Sequence, residues 1–386
     1  MIDMQDTLQH FTDRILHASQ SGQPLRLRGG GTKDFLGQSL QGDVLDTTAY
    51  SGILSYEPSE LVITVRCGTP LAEVEAALAE KGQSFAFEPP HFGAGATIGG
   101  MVAAGLSGPA RASVGTVRDF VLGARVINGK GEHLTFGGQV MKNVAGYDVS
   151  RLLAGSWGQL GLITEVSLKV LPVFPGEATL VCAGVSQAQA LKLINQWGGQ
   201  PLPLNASAWV HDTTASPAQD FFFVRLRGAI AAVDAAVVKM RAEVQALGAQ
   251  VTRMDSAQVT ADWKASGEQT LDFFKAPNEH DCLWRLSVAQ TAPVLDVRVN
   301  GVPCAQYVEW HGAQRWLWAP ASAAAQVREA AVKAGGHATL FRTSTASRQT
   351  SGDVDKQVGV YTPLNAVQQR IQNELKKQFD PAGIFN

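Results

Sequence analysis

The sequence predicts an α+β or α/β fold divided into more than one domain. Segments with strand-like composition alternate with segments whose apolar residues recur at helical spacing. The 39 glycines concentrate between Gly29 and Gly161, at the junctions between these segments. The chain has 386 residues, and a domain usually holds ~100–200, so two or three domains are expected.

The first elements are a helix, a strand and a glycine turn. Residues 5–20 carry apolar side chains at helical spacing, which predicts an amphipathic helix. Residues 24–28 alternate apolar and polar side chains, as a half-buried strand does. This strand leads directly into Gly29-Gly30-Gly31-Thr32-Lys33. A glycine triplet before a hydroxyl residue suits a loop whose amides bind phosphate, although a tight turn would also explain it.

The same pattern continues as far as Pro172. Thr69 and Pro70 are expected to cap and open a helix that Gly82 ends. The other predicted elements of this region are strands at 61–65, 119–127 and 162–170, a hairpin turn at 129–131 and a short helix after 142–148.

The most distinctive stretch is Gly93–Gly115, in which seven glycines alternate with Ala, Ser and Thr. Fixing a glycine costs conformational entropy, so a run of this kind needs a physical reason. Apolar residues such as Ile98 and Val102 make the stretch packed rather than loose. We therefore expect its backbone to approach a large ligand such as a diphosphate. Neither a Walker loop nor a Rossmann fingerprint is present, so the site belongs to another architecture.

A second region of different character begins after residue 172. It has fewer glycines, strand candidates at 221–226, 283–288 and 314–318, and a helix from Ile230 that closes at Gly248. We predict domains at 1–172 and 173–335, followed by a C-terminal segment at 336–386. A helix in that last segment is expected to bury the apolar residues Leu364, Val367, Ile371 and Leu375.

Composition excludes several classes of protein. The net charge of −2 and the absence of charge runs argue against a nucleic-acid partner. The spacing of the four cysteines argues against a zinc or iron–sulfur site, so no metal is expected. We expect reduced, mostly buried thiols at Cys67, Cys182, Cys282 and Cys304. No signal peptide or membrane-spanning stretch is apparent, and a cytoplasmic location is expected.

Four sequence blocks resemble the flavoprotein family of vanillyl-alcohol oxidase and p-cresol methylhydroxylase (PCMH). They are Arg28–Gly31, Thr97–Met101, Gly155–Val166 and Phe379–Asn386. Three further blocks look like the FAD-binding subunits of bacterial glycolate oxidase (glycolate dehydrogenase) complexes. These are Glu88–His91, Val117–Gly123 and Val140–Asp148.

The resemblance implies a two-lobed PCMH-type FAD-binding domain at 1–172, a mixed α/β cap domain at 173–335, and a C-terminal return to the first domain. It assigns the FAD pyrophosphate to residues 29–32, the diphosphate and flavin side to residues 97–100, and the adenine end to Gly161 and Ile163. The full set of cofactor-binding residues that it implies is Arg28, Gly29, Gly30, Gly31, Thr32, Lys33, His91, Thr97, Ile98, Gly99, Gly100, Ser107, Gly108, Ser113, Gly115, Asp119, Gly161, Ile163 and Asn386.

Non-covalent FAD is expected, because many relatives attach the cofactor through a His at the position that Thr32 occupies here. His91 is an alternative attachment point; it would either face the flavin or cap a turn. The family's terminal motif continues past the Asn that corresponds to Asn386. The sequence leaves open whether the native terminus has been clipped.

Oxidising a 2-hydroxy acid requires a cation for the carboxylate, a base near the hydroxyl and a hydride acceptor. His337 is the candidate base, with Arg342 or Arg285 as the carboxylate anchor. The alternatives are a structural role for His337 and a buried ion pair for Arg285. The histidines outside these motifs are expected at the surface.

Three functions remain open at this point. The chain is either an FAD subunit that relays electrons in a glycolate-oxidising complex, a self-sufficient dehydrogenase for 2-hydroxy acids, or a scaffold with structural FAD. In the first case the partners are a sister FAD subunit and an iron–sulfur subunit, with attachment to the inner face of the membrane through them.

Overall fold

A computed structural model describes residues 4–138, 148–214, 216–254, 257–349 and 353–385. The described chain forms two lobes, each built on an antiparallel sheet. The helices are α1 (Met4–Ser21), α2 (Leu71–Ala79), α3 (Ile98–Ala104), α4 (Arg111–Val114), α5 (Val117–Phe120), α6 (Gln187–Gly198), α7 (Ile230–Gln245), α8 (Ala257–Gly267), α9 (Ala324–Lys333), α10 (Thr345–Arg348) and α11 (Ala366–Phe379). Short 3₁₀ turns lie at Ser150–Leu153, Asp272–Phe274, Trp310–Gly312, Ala321–Ala323 and Val354–Val358.

The strands are numbered in chain order. They are β1 (Leu25–Arg28), β2 (Asp43–Asp46), β3 (Ile53–Glu57), β4 (Val62–Arg66), β5 (Gln83–Ser84), β6 (Val121–Ile127), β7 (His133–Gly137), β8 (Leu162–Lys169), β9 (Leu171–Pro172), β10 (Gly176–Ala183), β11 (Leu204–Asp212), β12 (Gln219–Gly228), β13 (Gln250–Met254), β14 (Asp281–Ser287), β15 (Arg298–Val299), β16 (Val302–Pro303), β17 (Gln306–Glu309), β18 (Gln314–Pro320) and β19 (His337–Arg342).

The first lobe contains a five-stranded sheet in the order β3-β4-β8-β6-β7. Its β-branched strand residues, such as Val65 and Val166, share one core with the apolar face of α2. Helix α3 joins the same core through Ile98 and Met101, both almost fully buried. The central glycine stretch is therefore packed, as the sequence predicts, and α3 is held against β4 and β8.

A second, smaller core holds the strand that leads to the glycine turn. β1 pairs in parallel with β2, and on its other side Leu25 forms a bridge with Phe385. The Leu25 N–H donates to the carbonyl of Ile384 at 2.7 Å. Asp380 fixes this C-terminal stretch, because its carboxylate accepts from the backbone N–H groups of Ile384 and Phe385.

The second lobe is an eight-stranded antiparallel sheet in the order β13-β10-β12-β11-β17-β18-β14-β19. Helices α6 and α7 cover part of one face around Trp197, and α9 covers the rest around Trp284. The opposite face turns toward the first lobe. Side chains of both lobes, including Leu106 and Phe341, form a shared apolar cluster there.

Charged groups also join the lobes. Glu88, in the first lobe, forms ion pairs of 2.7 Å with Arg225 and Arg227 of β12. The Arg225 side chain is only 2% exposed, so water is largely excluded from the arginine in this ion pair. Burial opposes ionisation of Glu88, but the two guanidinium groups outweigh it and hold the pKa of Glu88 below its usual value.

Several predicted elements are confirmed and some are wrong in detail. The predicted N-terminal helix and the strands β1, β4, β8, β12, β14 and β18 are present. Thr69 does not cap α2, because its hydroxyl bonds to Gly52, and Pro70 stands at the cap. The predicted strand at 119–127 begins two residues late, since Asp119 and Phe120 end the short helix α5.

The C-terminal helix exists, but its apolar face is not buried as predicted. Val367 is 57% and Ile371 is 60% exposed, and of the four predicted residues only Leu375 packs on the core of the first lobe. Residues 139–147, which carry all but the last residue of the recognised block Val140–Asp148, lie outside the described residues. Strand β19, which begins at His337, belongs to the eight-stranded sheet. The predicted domain boundaries themselves stay a prediction.

Candidate functional site

A cleft opens where the glycine turn after β1 faces the N-terminal end of α3. The empty space between its walls, counted together with the part that is open to solvent, is about 930 Å³. Its lining includes most of the residues that the resemblance assigns to FAD. From that set, the cleft is lined by Arg28, Gly29, Gly30, Gly31, Thr32, Lys33, Thr97, Gly99, Gly100, Gly161 and Ile163. The structure therefore gathers the glycine turn, α3 and the start of β8 around one cleft.

The glycine turn presents free backbone donors to this cleft. Within the described residues, the backbone N–H groups of Gly30, Gly31 and Thr32 have no acceptor. Gly31 adopts the left-handed region, at a φ of 70°, which lets the chain turn without strain. Consecutive free amides in such a turn form a concave site for an anion. The turn therefore fits the diphosphate of a dinucleotide.

The glycines have a second role that the sequence did not indicate. A Cβ on Gly30 would lie 1.5 Å from the carbonyl oxygen of Gly95, and one on Gly29 would lie 2.2 Å from Oγ1 of Thr97. Because these positions carry no side chains, the loop of residues 29–32 can lie in direct contact with the loop of residues 93–97. The cleft keeps its shape because those loops are in direct contact.

Not every amide of the central stretch is available to a ligand. Gly99 donates its N–H to the Cys67 carbonyl at 2.8 Å, and Gly100 donates to Oγ1 of Thr97 at 3.3 Å. Both glycines still line the cleft. Ile98 faces the core and is completely buried. The expectation that it contacts the cofactor is therefore corrected: its side chain anchors α3.

Three cations line the cleft: Arg26, Arg28 and Lys33. The Nζ of Lys33 donates to the His91 carbonyl at 3.1 Å and lies 5.6 Å from the centre of the Phe92 ring. Burial lowers the pKa of Lys33 to about 8, against the opposing effect of Glu268. The other predicted cation, Arg28, is already paired with Asp34 at 2.7 Å. Lys33 is thus the better placed of the two to attract a phosphate.

Other predicted cofactor residues lie away from this cleft. The His91 ring bonds to Glu75 at 2.9 Å and does not line the cleft. Gly115 caps the C-terminal end of α4, and the Asp119 carboxylate accepts from the backbone N–H and the hydroxyl of Thr116 at the start of α5. Ser113 contacts His311 of the second lobe. Asn386 falls outside the described residues.

A second, smaller space lies between the lobes, and we call it the inter-lobe cavity. Its volume is about 20 Å³, which is room for one or two water molecules. The first lobe contributes the predicted residues Ser107 and Gly108, and the second contributes Arg285. The remaining lining residues are Pro90, Phe92, Leu106, Ser266, Gly267, Gln269, Glu309, Trp310, Gln314, Trp316 and Phe341.

The three predicted catalytic residues do not meet in one place. Arg342 donates to Gln269 at 2.9 Å and lines an open basin beside Thr32 and Phe92, not the inter-lobe cavity. His337 is exposed at the start of β19 and lines none of these spaces. Partial burial and the nearby charge of Arg285 lower the pKa of His337. The grouping of His337 with Arg342 around one substrate is therefore corrected, and of the three residues Arg285 lines the inter-lobe cavity.

One buried histidine was missed. His311 is 5% exposed, which corrects the expectation that it lies at the surface. Its Nε2 is 2.9 Å from the Ser113 hydroxyl in the first lobe, and its Nδ1 is 3.0 Å from the Ser207 hydroxyl in the second. Burial lowers its pKa to about 4, so it is neutral at pH 7. No local motif marks this residue, because its partners come from distant parts of the chain.

Comparison with known proteins decides the family. Residues 6–137 match the family described as FAD binding domain. The chain is 41% identical over 382 residues to the glycolate oxidase subunit GlcE of Escherichia coli, covering 99% of this chain and 96% of that protein. The chain belongs to the GlcE family. The prediction of an FAD-binding oxidoreductase is thereby confirmed, as is FAD as its cofactor.

More distant relatives match only part of the chain. The D-lactate dehydrogenase of Archaeoglobus fulgidus is 30% identical over 48% of this chain and 42% of its own length. The glycolate oxidase subunit GlcD of Bacillus subtilis is 32% identical over 41% of this chain and 34% of its own length. An alkyldihydroxyacetonephosphate synthase structure superposes over 97% of this chain and 73% of that chain, with a TM-score of 0.66 at 15% identity. This last likeness confirms the two-lobed fold.

Within the described residues, no helix combines the length and the apolar composition that crossing a bilayer requires. The four cysteines are free thiols, three of them buried and Cys304 partly so, as predicted.

Proposed function

We propose that this chain is the FAD-binding subunit of a complex that oxidises glycolate to glyoxylate and passes the electrons on through FAD. The observation that carries the proposal is the relationship, over nearly the whole chain, to the glycolate oxidase subunit of E. coli. The cleft with its free amides gives that relationship a physical basis.

The cleft residues suggest how FAD is held. The N–H groups of Gly30, Gly31 and Thr32 donate to the diphosphate, and Lys33 adds a positive charge nearby. Thr97, Gly99 and Gly100 form the opposite wall, and Gly161 with Ile163 the far end. With Thr32 after the triplet and His91 bonded to Glu75, FAD is bound non-covalently. FAD, when bound, supplies a two-electron acceptor for the hydride of an alcohol carbon.

The partners follow from the same proposal. A sister FAD subunit is supported by the similarity of 41% of this chain to the B. subtilis glycolate oxidase subunit GlcD. An iron–sulfur partner then takes the electrons, since this chain's cysteines are separate free thiols. The complex lies in the cytoplasm and attaches to the inner face of the membrane through its partner subunits.

The flavin absorbance band tests the proposal. The purified chain should be yellow, and anaerobic dithionite should bleach it. Under the relay hypothesis, glycolate bleaches the chain only after the partner subunits are added. A colourless chain that takes up no added FAD would contradict the proposal.

A second function is favoured by one observation, the similarity to the D-lactate dehydrogenase of A. fulgidus. In that case the chain oxidises a 2-hydroxy acid without partners. Anaerobic bleaching by glycolate or D-lactate alone would establish this function and exclude a pure relay.

A further inference from the structure

A short loop of the first lobe, His91 to Gly93, is held by a side chain of the second lobe. Glu268, which follows α8, accepts from the backbone N–H of His91 with one carboxylate oxygen and from that of Phe92 with the other, both at 2.8 Å. Hydrogen bonds from N–H groups to a carboxylate are stronger than those between neutral groups. Glu268 therefore fixes the position of two consecutive residues across the boundary between the lobes.

The other side of this loop contacts the FAD cleft. The His91 carbonyl accepts from Nζ of Lys33 at 3.1 Å, and a Cβ on Gly93 would lie 3.2 Å from Cγ2 of Thr32. Both Thr32 and Lys33 line the cleft, whereas Glu268 does not. His91 therefore joins the two lobes through its own backbone: its N–H donates to Glu268 and its carbonyl accepts from Lys33.

The loop needs these outside contacts because its own backbone is unfavourable. Phe92 has a φ of 54°, in the left-handed region that residues other than glycine rarely adopt. Such a conformation persists when the surrounding structure imposes it. Glu268 holds the two N–H groups, and Glu75 bonds to the His91 ring at 2.9 Å. Without Glu268 the loop is free to relax away from Lys33.

Charge also links Glu268 to Lys33. Burial lowers the pKa of Lys33 to about 8, and the negative charge of Glu268 opposes that effect because it favours the protonated amine. Charged groups of the neighbouring elements lie around the loop and the glycine turn as well: Glu75 of α2, Lys264 of α8, Arg342 of β19, Arg348 of α10, and Asp34, which is paired with Arg26 and Arg28. Among these described charges, Glu268 is the one that raises the pKa of Lys33.

We propose that Glu268 is a positioning residue for FAD, which holds the 91–93 loop and, through it, sets Lys33 against the diphosphate. This inference rests on the proposed binding of FAD in the cleft. It adds a role for the second lobe, because a residue at the end of α8 keeps the phosphate-binding lysine in place without lining the cleft. The cofactor is therefore held by both lobes, by one through direct contact and by the other through the loop.

Titration of the apoprotein with FAD, followed by flavin fluorescence from about pH 6 to about pH 9, tests the proposal. In the unmodified chain, affinity should begin to fall at about pH 8, where Lys33 loses its proton. Glu268→Gln keeps one oxygen acceptor but removes the charge, so the fall should begin about one pH unit lower. At about pH 8 the variant should bind FAD up to about fivefold more weakly, because about a tenth instead of about half of its Lys33 is protonated.

Two further variants separate an effect on Lys33 from a general change of charge. Asp262→Asn removes the same charge from an exposed position of α8, where the carboxylate accepts from the side-chain amide of Gln258. It should leave both the FAD affinity and its pH dependence unchanged. In a Lys33→Met background, Glu268→Gln should produce no shift with pH, because Glu268 acts through Lys33.

The outcomes separate this proposal from the one on which it rests. A Glu268→Gln chain whose affinity falls at the same pH as in the unmodified chain would overturn the positioning role and leave the FAD cleft intact. An equal loss of affinity at every pH would also overturn it, since that result would show a purely structural contact. A chain that takes up no FAD would contradict the proposed function itself.

Hydrogen exchange in the unmodified chain decides the matter if Glu268→Gln does not fold. FAD should slow exchange at the amides of His91 and Phe92, because FAD and Glu268 stabilise the same loop and such coupling is reciprocal. Unchanged exchange at these two amides on FAD binding would overturn the proposal.

Discussion

Replacing Gly30 with alanine should disrupt FAD binding through the contact between the two glycine-rich loops. The added Cβ would lie 1.5 Å from the Gly95 carbonyl oxygen, whereas ordinary contacts begin at about 3.4 Å. The loops would have to separate by about 1.9 Å. Hydrogen bonds require donor–acceptor distances of about 2.7–3.2 Å, so amides displaced by this amount lose the diphosphate.

The expected effect follows from the number of amides lost. Losing two of the three amide hydrogen bonds to the phosphate, at about 1.5–3 kcal/mol each, means that Gly30→Ala should cost about 3–6 kcal/mol of binding. FAD affinity should fall by about 10²-fold to 10⁴-fold. Quenching of FAD fluorescence during titration of the apoprotein measures this directly. Far-ultraviolet circular dichroism shows whether the variant remains folded.

A matched glycine-to-alanine change provides the control. Gly198 ends α6 and has nothing within 4 Å of its Cβ position. Gly198→Ala should therefore leave FAD affinity unchanged and raise stability by up to about 1 kcal/mol. A folded Gly30→Ala chain that binds FAD as tightly as the unmodified chain would refute the idea that contact between the two loops shapes the cleft.

Three further predictions follow from the charged groups and the cofactor. Glu88→Gln should reduce the free energy of unfolding in urea by about 3–5 kcal/mol, because it leaves Arg225 buried without its counter-charge. FAD affinity should fall as pH rises through about 8, since Lys33 loses its proton there, and Lys33→Met should abolish this dependence. Trichloroacetic acid should release all FAD into the supernatant, because Thr32 stands where a covalent attachment would require His.

Each of these has its own contradicting result. A loss below about 1 kcal/mol in Glu88→Gln would show that the ion pair between the lobes behaves as a solvated surface contact. If the FAD affinity of Lys33→Met still fell as pH rose through about 8, a group other than Lys33 would be responsible for the pH dependence. A yellow acid pellet would indicate covalent flavin, and peptide mapping would then locate the attachment, with His91 the first candidate.

The sequence predicted those parts of the site that are continuous in the chain. The glycine triplet and its strand were recognisable because a phosphate-binding turn needs only a few consecutive residues. The same holds for α3, whose apolar residues and glycines lie side by side. These local patterns, together with the family blocks, were enough to indicate the FAD cleft.

The inter-lobe cavity was not predictable in this way. Arg285, Glu309 and Gln314 lie on three different strands, and only the register of β14, β17 and β18 brings them together. The same is true of His311, whose partners are roughly one hundred and two hundred residues away. For α11, the amphipathic pattern predicted the helix correctly but not what its apolar face contacts, since periodicity carries no information about burial partners.

The bridge between Leu25 and Phe385 has a consequence for the glycine turn. The strand that supports this turn receives its second neighbour from residues 384 and 385. Deleting those two residues would remove a backbone hydrogen bond from the strand and expose one of its edges, so damage far away in the sequence would reach the phosphate-binding loop.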